Sequence, residues 1–122
     1  MHPPDSIMRL ALIGDGTVKY ITSSYIAHPL SGLSYRDAAH IITKVNSNAY
    51  MIEYIKTKGI LHERIPEKYL ADYFEALIGI WSILNPKIAF SMVREYTLWA
   101  LKHYEDSTYQ ELLGTPDPQH VA

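Results

Sequence analysis

Apolar residues recur at helical spacing in five stretches of this chain and nowhere alternate with the period of a strand. The first stretch, 7–26, carries Ile7, Leu10, Ile13, Val18, Ile21, Tyr25 and Ile26, with Ser6 the expected cap and His28-Pro29 the expected stop. The second opens at Ser34, with Asp37 in the place of a capping-box acid, and its short apolar face is Ala38, Ala39, Ile41, Ile42 and Val45. Asn46-Ser47-Asn48 then interrupts the pattern, because such side chains cap a helix better than they continue one. A third helix follows through Tyr50, Met51, Tyr54 and Ile55, and Gly59 is its expected C-cap.

Pro66 suits the first position of a fourth helix over 67–84, which is apolar nearly all round and therefore expected at the centre. Asn85 and Pro86 open a fifth helix, expected to end near His103. A short sixth is expected over 107–113, before a frayed tail from Gly114. The expected fold is all-α, with five to six helices. One helical domain spans 1–104, and 105–122 holds the short last helix and the tail.

The first stretch contains an anomaly. Leu10-Ala11-Leu12-Ile13-Gly14-Asp15-Gly16-Thr17-Val18 places two glycines and an aspartate in a helix interior, where each Gly costs about 1 kcal/mol relative to Ala. Glycines kept there point to a close backbone approach, and the acid on the same turn points to a site.

Composition narrows the field. The chain has 122 residues, 48% of them hydrophobic, and a formal charge of −2, the profile of one globular domain. It has no cysteine, which excludes disulfides and thiolate zinc sites. No apolar run approaches a membrane span, and residues 1–6 lack the basic start and apolar core of a signal peptide. The slight acidity argues against strong non-specific nucleic-acid binding. The six histidines are scattered and suggest no chemistry, and the ten tyrosines are expected mainly to pack the core.

The fourth helix holds Asp72 and Glu75, whose i, i+3 spacing puts both carboxylates on one face, roughly 5–6 Å apart at Cβ. Lys68 is the sole nearby cation on that helix, four residues before Asp72. One reading is a pair of solvated acids at the rim of a packed helix. The other is a divalent-cation site, with Asp15 completing it across a helix contact that Gly14, Gly16 and Gly79 make close.

The same residues resemble the ribonuclease III family. Leu12-Ile13-Gly14-Asp15-Gly16-Thr17-Val18 is similar to its signature helix, and Lys44 to Met51 to its Leu-Val-Ser-Asn-x-x-Leu segment. Tyr69-Leu70-Ala71-Asp72-Tyr73-Phe74-Glu75-Ala76-Leu77-Ile78-Gly79 follows its Leu-Ala-Asp-x-Phe-Glu-Ala-Leu-Ile-Gly helix almost residue for residue. The three motifs stand in the family's order within roughly residues 7–104.

The resemblance implies the ribonuclease III endonuclease-domain fold and a Mg²⁺-dependent endoribonuclease (Mn²⁺ an alternative) that cuts double-stranded RNA as a homodimer. The signature helix would lie at the dimer seam, its glycines acting as spacers. Asp15, Asp72 and Glu75 match three of the four family acids that bind metal and carry catalysis. The fourth position holds Ala11, one turn before Asp15, where the family usually has Glu. That departure leaves a second expectation, a catalytically impaired structural or RNA-binding subunit of a ribonucleoprotein. No double-stranded-RNA-binding domain fits in 105–122, so RNA phosphates would meet a modest strip of Lys56, Lys58, Arg64 and Lys68.

Overall fold

The computed structural model describes residues 2–61 and 64–114. Among these residues five helices account for the architecture: α1 Asp5–Ile26, α2 Tyr35–Val45, α3 Asn48–Lys58, α4 Leu70–Leu84 and α5 Pro86–Leu112. Single 3-10 turns at Pro29–Ser31 and Glu67–Tyr69 help to join them, and no strand occurs among the described residues. The all-α expectation holds. No helix among the described residues is long and apolar enough to cross a membrane.

α4 is the central element, packed most extensively on α1 and flanked by α3 and α5. Its apolar character explains that position: Leu70, Ala71, Phe74, Ala76 and Ile78 are all buried. Around Phe74 the core is aromatic, with the Tyr54 ring 5.8 Å away and the Tyr96 ring 6.0 Å away. Fully buried, Tyr96 keeps its polarity satisfied by donating its hydroxyl hydrogen to the Val45 carbonyl, which ties α5 to the end of α2. The tyrosines divide: Tyr54 and Tyr96 are core residues, whereas Tyr20, Tyr25, Tyr35 and Tyr109 are exposed.

Local signals account for most boundaries. Ser34 and Ser47 each accept from a backbone N–H three residues on, capping α2 and α3. Gly59, at φ 62°, closes α3 in the left-handed conformation that a side chain resists. Asn46 ends α2 and also accepts from Thr22 of α1 through its side-chain oxygen.

Several expected ends shift. α1 starts at Asp5 behind Pro4, without a side-chain cap, because Asp5 pairs with Arg9 and Ser6 lies inside the first turn. Pro66 precedes the 3-10 turn, accepting from Tyr69 N, and α4 begins only at Leu70. Asn85 occupies the cap position of α5 but contributes its backbone carbonyl, not its side chain. The separate sixth helix does not form. Ser107 donates to the carbonyl of His103, a bond within a continuing helix, so α5 runs on to Leu112. Residues 115–122 of the expected tail lie outside the described residues.

Candidate functional site

α1 and α4 meet backbone to backbone. A Cβ added to Gly14 would overlap the carbonyl oxygen of Glu75, and one added to Gly79 would overlap the carbonyl oxygen of Leu10. Both glycines are therefore structural requirements of a helix crossing inside the chain. The contacts of His2 with Tyr69 and of Thr17 with Ser82 show the two helices running in the same direction. The Thr17 and Ser82 hydroxyls, 2.9 Å apart, fasten the far end of the crossing. Gly16 differs, for a Cβ there would meet nothing. Of the glycines expected at a dimer seam, Gly14 is thus used within the chain, and Gly16 alone faces open space.

This crossing brings two of the three expected acids together. Glu75 points from α4 toward α1 with only 7% of its surface exposed, and its carboxyl group hydrogen-bonds that of Asp15. Burial is the main cause that lifts the Glu75 pKa from 4.5 to about 8, followed by the bond to Asp15, the Asp15 charge and the Asp72 charge. At neutral pH Glu75 is accordingly the protonated donor and Asp15 the ionised acceptor. The Asp15 pKa is lowered, chiefly by that hydrogen bond and further by Lys19, against the opposing effect of burial.

Asp72 stands one turn before Glu75 on α4, half-buried, and its negative charge is felt by Glu75. It does not close a triad. Among the described residues no group of three His, Cys, Asp or Glu is gathered tightly enough to hold a metal ion. The arrangement is a carboxyl pair with a third acid in electrostatic range. Two contacting carboxyls suit Mg²⁺, which typically keeps several waters and takes only one or two protein carboxylates. Ala11, which stands where the resembled motif usually has Glu, is 5% exposed and offers no donor.

The cation beside the acids comes from α1. Lys19 Nζ lies 2.9 Å from Asp15 Oδ2, an i, i+4 pair on the helix face toward Glu75. Lys68, expected to serve Asp72, instead lies over the Tyr69 ring at 5.1 Å from its centroid. In the expected basic strip, Lys56 is paired with Glu67 at 3.4 Å. Sequence reasoning did not single out Lys19, although its spacing four residues after Asp15 was a usable signal.

A groove of about 760 Å³ opens elsewhere, between the second half of α1, the turn at Pro29–Ser31 and α5. Tyr20, Tyr25, Leu30 and Phe90 line it, and none of the three acids does. Set against protein-family models, curated proteins and solved structures, the chain finds no match.

Proposed function

We propose that this chain is a ribonuclease III-like, Mg²⁺-dependent endoribonuclease that cleaves double-stranded RNA as a homodimer. The observation that carries the proposal is the Asp15–Glu75 carboxyl pair at a backbone-to-backbone helix crossing, with Glu75 buried and Asp15 partly exposed. Burying a carboxyl against another carboxyl opposes folding unless a proton or cation compensates it, so such pairs concentrate at functional sites. The motifs around these two residues and Asp72 support the same reading.

When bound, Mg²⁺ supplies a water of lowered pKa and neutralises charge at a phosphate. Asp15 and Glu75 are the residues that would hold it, with Glu75 giving up its proton on loading. Asp72, outside the pair, would accept a hydrogen bond from a ligand water and orient it. The homodimer reading is supported by the outer face of α1, where Leu12 and Tyr20 are each 75% exposed. The symmetric seam would also give Gly16 a use that the single chain does not.

A second reading, a catalytically impaired structural or RNA-binding subunit, is favoured by the buried Ala11 and by the absence of a three-donor group among the described residues. Incubation of the purified chain with long duplex RNA and Mg²⁺ or Mn²⁺ separates the two. Cleavage that disappears in Glu75→Gln is the expected result. Duplex binding without cleavage, equal in wild type and Glu75→Gln, would favour the second reading. Gain of cleavage in Ala11→Glu would then locate the defect at that turn.

A further inference from the structure

Among the described residues, Lys19 is the cation paired with the acid pair. Its Nζ lies 2.9 Å from Asp15 Oδ2, and its charge also reaches Glu75. The ion pairs Arg9–Asp5, Lys56–Glu67 and Lys102–Asp106 each join two side chains at the surface. In Lys19–Asp15 the acid is itself bonded to a second, buried carboxyl.

The same region lacks an acid at Ala11, so its negative charge is low for a cation site, and Lys19 lowers it further. An incoming divalent ion must share Asp15 with an ammonium or displace it. Breaking the contact itself is cheap, because the Lys19 side chain is 61% exposed, but its stem one turn from Asp15 keeps the ammonium near the site. Repulsion between the ammonium and the ion therefore persists. At a separation of about 5 Å it weakens divalent binding on the order of tenfold, even in a solvent-like dielectric.

We propose that Lys19 is a built-in counter-cation of the Asp15–Glu75 pair that raises the divalent-cation concentration at which the site loads. The proposal rests on the metal-site reading above. It adds that the resting site is held by the protein's own ammonium, which acts on loading and not on the reacting atoms.

The test is Mn²⁺ titration of the full chain, with free Mn²⁺ read by electron paramagnetic resonance and folding checked by thermal melts. Lys19→Met is expected to bind Mn²⁺ about tenfold more tightly than wild type. Lys19→Arg keeps the charge and is expected to stay near wild type. Lys102→Met removes an equivalent i, i+4 surface pair on α5 and is expected to leave affinity unchanged. Glu75→Gln should lose binding, alone or combined with Lys19→Met. Equal affinity in wild type and Lys19→Met, with binding still lost in Glu75→Gln, would overturn the Lys19 proposal and leave the metal-site reading intact. Absence of Mn²⁺ binding in every variant would overturn both. Tightening that survives in the double variant would place the ion elsewhere and also overturn the proposal.

Discussion

A glutamic acid that keeps its proton to about pH 8 makes the unloaded protein sensitive to pH at one residue. In the unfolded chain Glu75 titrates near 4.5. Between these values the folded state holds a proton that the unfolded state has released, so stability falls as pH rises through the window. The Glu75 contribution is complete below about pH 4.5 and is lost by the time pH has passed about 8. Asp15 acts in the opposite sense but outside that window. Its lowered pKa gives stability present above 3.8 and lost as pH falls further. Urea midpoints measured without divalent cation at pH 5, 7 and 9 should therefore decline, and Glu75→Gln should flatten the decline. Mg²⁺ at saturating concentration should reverse it, because a loaded site prefers the ionised carboxylate.

At the scale of helices, the α1–α4 crossing depends on two positions lacking a Cβ. Gly14→Ala and Gly79→Ala should each destabilise by about 2–3 kcal/mol, since the clash is with backbone carbonyls that cannot rotate away. Gly16→Ala meets open space and should stabilise the monomer by about 0.5–1 kcal/mol through helix propensity. Denaturant unfolding of the three variants checks the contrast. The need for a close approach near Gly14 was legible in the sequence, and so was the central place of the apolar α4. Which glycine faced which partner was not, because helical spacing gives a residue's face but not the crossing angle. Lys68 shows the same limit. It has the right spacing for Asp72, yet the ammonium turns to the Tyr69 ring, while Lys19 arrives from another element. Ser107 misled for a different reason: a hydroxyl that caps a helix can equally bond back to the preceding turn, as it does to His103.

For the molecule as a whole, large apolar side chains stand exposed both on α1 and around the α4–α5 turn. Met8, Leu12, Ile13 and Tyr20 lie on the first, Ile83, Leu84 and Ile88 on and just after the second. A monomer gains nothing from that exposure, and a two-fold partner would cover it. Light scattering at micromolar concentration should report a dimer. Leu12→Lys combined with Tyr20→Lys should return it to a monomer with unchanged helical circular dichroism, because neither side chain belongs to the core.

The bare contact of Gly14 and Gly79 has one more consequence. The spacing of Asp15 and Glu75 is set by main chain on main chain, with no layer of side chains between the helices to swell or shrink. Substitutions in the aromatic core around Phe74, Tyr54 and Tyr96 can thus change how readily the protein melts without retuning the distance between the two carboxyls. A lineage could replace much of its interior and keep the acid pair in register, provided two hydrogens remain where side chains would otherwise stand.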